Sequence, residues 1–201
     1  MSLNFISIDA VSEKANISLF SNDECIFEYN DCKNSSFIPK AINLCLSKTD
    51  CKLDHLDFIA VTIGPGSYTG IRVAISISQG IAYSLSIPLV PINTMNYIFS
   101  QIKKESSDDV VGFPAYGENL FYFKVKEGPN SKGDIKNILD FRDKKVFGVQ
   151  LEKYKDIINY QQVDFCSKSI GLYAFKNYKE LNTLDLNIIS PIYLDNFISK
   201  K

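Results

Sequence analysis

The sequence predicts an α/β protein with a mixed sheet flanked by helices. Short apolar runs and segments of helical periodicity alternate along the first half, in the order of three strands, a helix, a strand, a helix, a strand and a helix. A glycine-rich turn joins the fourth strand to the second helix, with three glycines, a proline and a serine between Gly64 and Gly70. The chain of 201 residues is 45% apolar, which is enough to build one large core or two small ones.

The first three strands are predicted from short apolar runs separated by turns, a pattern typical of antiparallel hairpins. They cover residues 4–8, 15–20 and 24–29. A first helix over residues 37–48 follows a start signal at Asn34, Ser35 and Ser36, because its apolar residues recur at helical spacing. The later elements of this half are a strand over 56–63, a helix over 69–85, a strand over 87–92 and a helix over 94–103.

The segment from Thr69 to Leu85 has two interpretations. Isoleucine and valine alternate with small or polar residues between Ile71 and Ser78, which by itself favours a strand. The segment is too long for a typical strand, so we interpret it as a helix with Thr69 as its N-cap. Small residues recur along this helix, and they predict that another backbone can approach it closely.

The glycine turn before this helix resembles a phosphate-binding loop only in part. A helix N-terminus offers unpaired N–H groups to an anion. However, the lysine of a P-loop is absent, and the spacing of Gly64, Gly66 and Gly70 does not match the dinucleotide pattern. A purely structural turn and an anion-binding turn therefore remain open, with about equal weight.

Composition excludes several kinds of function. The net charge of −1 gives no sign of nucleic-acid binding, and the one histidine, His55, cannot form a two-histidine metal motif. The five cysteines include no C-x-x-C pair, so neither a disulfide framework nor a zinc site is indicated. No apolar run is long enough to span a membrane and the N-terminus lacks a secretion signal, so we expect a cytoplasmic protein.

The second half is more polar and is predicted as a separate domain. A polar stretch over 105–109 sets the expected boundary between residues 1–105 and a smaller α/β domain over residues 106–201. Its predicted elements are strands over 110–113, 120–125 and 145–149, a turn-rich segment over 126–136 and a helix over 168–178. The C-terminal tail is expected to pack back on the first domain.

The glycine turn and the helix after it resemble one protein family. The nine residues Gly64, Pro65, Gly66, Ser67, Tyr68, Thr69, Gly70, Ile71 and Arg72, followed by Gln79, Gly80, Ile81 and Ala82, are similar to the signature of the bacterial TsaB (YeaZ) family. That family has a ribonuclease-H-like, actin-like (ASKHA) fold with a degenerate second half, which agrees with the order of elements predicted here. The resemblance covers the first half well and the C-terminal Pro191, Ile192 and Tyr193 fairly.

Outside these matching segments, the chain departs from the family pattern at three places. Residues 114–118 stand where the family has an aspartate and an arginine, Asp195 stands for its closing arginine, and Asn34 stands for the histidine that opens the first helix. Interactions that rely on these second-half charges are therefore in doubt.

The resemblance implies a non-catalytic subunit. TsaB proteins bind TsaD, a relative with an H-x-x-x-H metal site that transfers a threonylcarbamoyl group to the adenosine next to the tRNA anticodon, and a small ATPase, TsaE, joins them. By this resemblance the chain is an inactive paralogue that needs no cofactor, with ATP and metal on the partner subunits and tRNA contacted only indirectly.

The resemblance also suggests a surface for the TsaD-type partner. The first two helices follow alternate strands, so they are expected to lie side by side and to form a four-helix bundle with the same pair on a partner. The candidate contact residues are Phe37, Ile38, Ala41, Ile42, Cys45, Val73, Ala74, Ile77, Ser78, Ile81 and Ala82. Some of these must face the protein's own sheet instead. If the bundle also forms by self-pairing, the isolated chain is expected to be a homodimer.

Two alternatives from other classes stay open. Asp9 ends the first strand, where this superfamily places an acid that serves magnesium or phosphate, so a nucleotide-binding ATPase or kinase-like protein is the main alternative. A simple strand-ending acid is the favoured interpretation of Asp9. A peptidase, a name this superfamily has carried, is less favoured because the chain lacks a histidine pair or triad.

Overall fold

The computed structural model describes residues 2–12, 14–32, 35–102, 108–129 and 133–193. The predicted helix start at Asn34 and the departure at Asp195 lie outside the described residues. Two five-stranded sheets carry the fold, each of them mixed, which confirms the predicted α/β class with helices flanking the sheets. Among the described residues, no helix combines the length and apolar character needed to cross a lipid bilayer.

The chain forms two compact units whose bounds differ from the predicted domains. The first unit comprises residues 1–94 and 166–192, and the second comprises residues 95–165 and 193–201. The helix predicted over 168–178 was assigned to the second domain, whereas it packs within the first unit. The physical reason is that its apolar side chains cover the second face of the first sheet.

The first sheet has the strand order β3-β2-β1-β4-β5. Its strands are β1 (Asn4–Asp9), β2 (Ala15–Ser21), β3 (Glu24–Cys32), β4 (Phe58–Gly64) and β5 (Leu89–Asn93). The pairs β1–β2 and β2–β3 are antiparallel, while β1–β4 and β4–β5 are parallel. This mixture of directions follows from the two hairpins at the start of the chain and the helical crossovers after them.

Two helices cover one face of this sheet. Helix α1 (Ile38–Lys48) follows a 3₁₀ turn over Ser35–Phe37, and α2 (Tyr68–Leu85) follows the glycine turn. Their inward side chains join those of alternate strand residues, such as Ile6 and Ile17, in one apolar core. The predicted helices over 37–48 and 69–85 are therefore present to within a residue.

The opposite face of the first sheet is covered by α4 (Ser167–Lys176). The rings of Phe20, Phe5 and Phe58 stack side by side, with centroids 4.7 and 4.1 Å apart along the row. Gly171 lets α4 approach this row, because a Cβ there would lie 2.3 Å from the Phe20 ring. Nearer the helix start, the buried hydroxyls of Ser18 and Ser167 are 2.6 Å apart and share a hydrogen bond.

The residues after α4 stay attached to the first unit. A single turn of helix, α5 (Tyr178–Leu181), leads to Thr183, which pairs with Leu89 on the edge of β5. The Gln79 side chain on α2 donates to the carbonyls of Leu186 and Ile189, at 2.8 and 3.1 Å. The backbone N–H of Ile192 then donates to the carbonyl of Ile63 at 2.7 Å. These contacts explain why residues 166–192 belong to the first unit.

The second sheet has the order β10-β9-β6-β7-β8. Its strands are β6 (Val110–Pro114), β7 (Asn119–Lys124), β8 (Asp134–Asn137), β9 (Lys145–Gly148) and β10 (Asn159–Gln162). Helix α3 (Thr94–Ser100) precedes it, and short 3₁₀ turns at Ile138–Phe141 and Glu152–Tyr154 make its crossovers. The buried residues Ile138, Phe141, Leu151 and Tyr154 cover one face of this sheet.

Candidate functional site

The glycine turn is built for close packing within the first unit. Gly64 has a φ of +104°, and a Cβ on it would lie 2.6 Å from the carbonyl oxygen of Ile192. A Cβ on Gly66 would lie 2.8 Å from the Cα of Val11, and one on Gly70 would lie 2.7 Å from the carbonyl oxygen of Ala10. Backbone from the β1–β2 loop and from the C-terminal segment therefore occupies the space beside all three glycines.

Ser67 joins the turn to α2. Its backbone N–H donates to the carbonyl of Val11 at 2.8 Å, and its Oγ accepts a hydrogen bond from the N–H of Gly70 at 3.2 Å. Ser67 is therefore the N-cap of α2, and the expectation that Thr69 fills that position is wrong. The reason is that the Ser67 side chain already caps the N–H of Gly70, so the helix begins at Tyr68, two residues earlier than an N-cap at Thr69 implies.

The rest of the family motif divides between the interior and the surface. Pro65 is buried in the turn, whereas Tyr68, Thr69 and Arg72 are exposed on the first turns of α2. The guanidinium carbon of Arg72 lies 3.8 Å from the centroid of the Tyr68 ring, a stacked cation–π arrangement. Tyr68 and Arg72 thus form a small exposed feature at the start of the helix.

Asp9 lies close to the glycine turn but is buried, with 2% of its surface exposed. One of its carboxylate oxygens accepts a hydrogen bond from the backbone N–H of Val11 at 3.0 Å. Burial raises the pKa of Asp9 from 3.8 to about 6, against the opposing effect of hydrogen bonds from Val11, Asn16 and Thr62. Within the described ranges, no three His, Cys, Asp or Glu side chains group together as metal ligands. A remnant nucleotide or metal role for Asp9 stays a prediction.

Helix α2 has one buried side and one exposed side. Ala74, Ser78 and Ala82, proposed from the sequence as close-approach residues for a partner, are each at most 1% exposed within this chain's own core. The Ser78 hydroxyl has no hydrogen-bond partner among the described residues. These three positions let α2 approach its own sheet, since they lie on the side that packs against β4 and β5.

The exposed side of α2 carries different small residues, which the sequence analysis did not single out. Ser76, Gly80 and Ser84 are exposed at four-residue spacing, and nothing lies within 4 Å of a Cβ built on Gly80. Val73, Ile77 and Ile81, which were predicted as contact residues, are half-buried beside them. The four-residue spacing from Ser76 to Ser84 was visible in the sequence, but only the structure tells which small-residue row faces outward.

Helix α1 also has one buried side and one exposed side. The predicted contact residues Ile38, Ala41, Ile42 and Cys45 are buried in the core of the first unit. Phe37, just before the helix, is half-buried. A shallow groove of about 290 Å³ runs along the outer side of α1, lined by Tyr29, Phe37, Lys40, Ala41, Asn43, Leu44 and Ser47.

The outward residues of α1 and α2 and this groove are called the helix face below. It consists of Phe37, Lys40, Asn43, Leu44, Ser47 and Lys48 from the first helix, and of Thr69, Arg72, Val73, Ser76, Ile77, Gly80, Ile81 and Ser84 from the second. Of the predicted contact residues, Phe37, Val73, Ile77 and Ile81 belong to the helix face. The other seven are buried, although Ala41 also lines the groove, and contact with a partner stays a prediction for all eleven.

His55 lies away from these features. It is exposed in the loop before β4, with its Nε2 3.9 Å from a carboxylate oxygen of Asp54. This matches the expected loop histidine. Cys25, Cys45, Cys51 and Cys166 form no disulfide, and Cys45 is buried on α1.

Comparisons with known proteins identify related sequences over most of the chain. A TsaB protein of Haemophilus influenzae, named "tRNA threonylcarbamoyladenosine biosynthesis protein TsaB", is 24% identical over 193 residues, covering 94% of this chain and 81% of the relative. A protein of the same name from Buchnera aphidicola is 24% identical over 159 residues, covering 77% of this chain and 72% of the relative. The family described as "TsaD: tRNA N6-adenosine threonylcarbamoyltransferase" matches residues 33–117.

Among solved structures, "YeaZ from Pseudomonas aeruginosa" has the same fold. It superposes with a TM-score of 0.72 at 15% identity, and the alignment covers 96% of this chain and 100% of that one. The TsaD match spans the segment that contains both helices and the glycine turn. The chain is thus similar in sequence to TsaB proteins over most of its length and has the fold of YeaZ.

Proposed function

We propose that this chain is a non-catalytic scaffold or activator subunit that binds a TsaD-type threonylcarbamoyltransferase. In this role it is required for threonylcarbamoylation of the adenosine next to the tRNA anticodon. The printed names of its TsaB relatives support a role in tRNA threonylcarbamoyladenosine biosynthesis. A TsaE-type ATPase is the proposed third component, and the chain meets tRNA only indirectly.

The observation that carries the proposal is the helix face. Two helices of 11 and 18 residues lie on one side of the first sheet, and their inward residues already complete the core. On the outer side, half-buried Val73, Ile77 and Ile81 alternate with the small residues Ser76 and Gly80. Such a surface lets a second helix pack at short distance, because small side chains do not hold the backbones apart.

The residues of the chain also favour a subunit without its own metal chemistry. The partner family's H-x-x-x-H site needs two histidines, and this chain has one, on an exposed loop. Backbone groups of Ala10, Val11 and Ile192 fill the space beside the three glycines of the turn, so close packing accounts for those glycines without a phosphate. ATP and metal are accordingly proposed to reside on the partner subunits.

Co-purification with the TsaD-type subunit of the same organism tests the proposal. Ser76→Arg and Gly80→Arg each place a long side chain on the outer side of α2, where there is open space in this chain. Both variants are expected to stay folded and to lose the complex. Gln162→Arg is the matched control, since it adds the same charge at an exposed position on β10 in the second unit.

The proposal fails if the wild-type chain forms no complex with the TsaD-type subunit, with or without ATP and the TsaE-type ATPase. Saturable ATP binding by the isolated chain, together with that failure, would support the nucleotide-binding alternative instead. If the complex forms but survives both arginine substitutions, the scaffold role stands and its surface lies elsewhere.

A further inference from the structure

The two helices of the helix face carry only positive charges. Helix α1 contains Lys40 and Lys48, helix α2 contains Arg72, and all three side chains are exposed. None of the chain's 23 acidic residues lies in either helix. The chain as a whole has a net charge of −1, so this face differs in sign from the molecule that bears it.

The positions of these charges suit a partner of opposite sign. Lys40 lines the groove beside Phe37 and Leu44, so a residue that fills the groove would meet an ammonium group at its edge. Lys48 is in the last turn of α1, and Arg72 is near the start of α2. The basic groups therefore lie at both ends of α1 and near the start of α2, while the small and apolar residues of the helix face are uncharged, as in interfaces with a polar rim.

We propose that the surface covering the helix face is an apolar helical surface with acidic side chains opposite Lys40 and Lys48. This inference rests on the proposed function, because it describes the partner that binds there. Complementary charge of this kind selects the partner and speeds association more than it adds affinity. The occupant is thus the TsaD-type subunit with an acidic helix pair.

The test compares salt dependence and charge reversal in the full chain. Binding to the TsaD-type subunit is titrated at about 0.1 M and about 1 M NaCl, where the screening length falls from about 10 Å to about 3 Å. The double variant Lys40→Glu/Lys48→Glu is measured beside Lys168→Glu/Lys176→Glu. Both pairs are exposed lysines eight residues apart, but the second pair lies on α4, on the opposite face of the same sheet.

The expected result at low salt is at least about tenfold weaker binding by the α1 variant and unchanged binding by the α4 variant. Wild-type binding should weaken at high salt, while that of the α1 variant should strengthen or stay constant. A complex with salt-independent affinity, or equal losses in both variants, would overturn this inference and leave the proposed function standing. No complex at either salt concentration would overturn both.

Discussion

The two sheets of this protein share a strand order and a pattern of strand directions but differ in their crossovers. In each, two successive antiparallel pairings lie on one side of the central strand, β1 or β6, and two successive parallel pairings lie on the other. The first sheet is crossed by the 11-residue α1 and the 18-residue α2. The second is crossed by 3₁₀ turns of four and three residues.

The difference shows what covering a sheet requires. In the second unit, Ile138 and Phe141 from one turn and Tyr154 from the other, with Leu151 before it, bury one face of the sheet. A few large apolar side chains are thus sufficient for the core. The helices of the first unit supply the same cover and add an outer side that its core does not need. That surplus surface is where we propose that a partner binds.

The largest expected effect comes from breaking the inner side of α2. Ala74→Arg would force a charged side chain into a position with no exposed surface, and we expect a loss of about 5 kcal/mol in unfolding free energy. Ser76→Arg, two residues along the same helix, should change it by less than about 0.5 kcal/mol because Ser76 is exposed. Urea unfolding followed by circular dichroism measures both, and similar stabilities would contradict the assignment of sides.

Phe141→Ala tests whether the 3₁₀ turns of the second unit complete its core, as the helices do in the first unit. Phe141 is buried and its ring packs edge-on against Tyr122, with centroids 4.7 Å apart. Removing it should cost about 3–5 kcal/mol, as for a core phenylalanine within regular structure. Leu139→Ala, on the same turn but with 43% of the residue exposed, is the control and should be nearly neutral. A small effect of Phe141→Ala on chemical unfolding would mean that the turn does not complete the core.

Replacing two helical glycines by alanine should change the stability by an intermediate amount, in opposite directions for the two positions. A Cβ at Gly171 would meet the Phe20 ring at 2.3 Å, so Gly171→Ala should destabilise by about 1–3 kcal/mol, less about 1 kcal/mol regained from helix propensity. Gly80→Ala adds its methyl group in open space and should stabilise by up to about 1 kcal/mol. Thermal unfolding of the two variants should therefore shift in opposite directions, and shifts of the same sign would refute the packing difference.

The raised pKa of Asp9 predicts a smaller change in unfolding free energy, which depends on pH. Its pKa in the folded chain is raised to about 6 by burial, so folding favours the protonated carboxyl group. The resulting stability is fully present below pH 3.8 and is lost as the pH rises through about 6. Between about pH 5 and pH 7.5 the loss should be on the order of 1 kcal/mol.

Asp9→Asn removes this titration while keeping an oxygen that can accept the hydrogen bond from Val11. As the pH rises, the unfolding free energy should therefore fall for the wild type and change less for the variant. Identical pH profiles would show that Asp9 titrates alike in the folded and unfolded chains.

The sequence alone was sufficient for elements with strong apolar patterns. The strands of the first sheet and both of its crossover helices are present close to their predicted bounds, as are β6, β7 and β9. The missed strands are β8 and β10, the two edges of the second sheet. Both are four residues long and mostly exposed, so they lack the alternation on which strand prediction depends.

The candidate site was less predictable because it depends on which way each helix faces. Small residues occur on both sides of α2, and the sequence does not distinguish Ala74 and Ser78 inside from Ser76 and Gly80 outside. The glycine spacing was equally ambiguous, since neither the approach of Val11 to Gly66 nor that of Ile192 to Gly64 is visible in the sequence. Both depend on contacts between segments far apart in the chain.

The return of residues 166–192 to the first unit has a consequence for the order of events during synthesis. The aromatic row of Phe5, Phe20 and Phe58 is made before residues 95–165, whereas the helix that covers it, α4, is made after them. Residues 95–165 are contiguous, so the second sheet can form while the first still waits for its cover. The aromatic row therefore lacks its cover until residues 95–165 have been made, and during that time it is the kind of exposed apolar surface that favours aggregation of nascent chains.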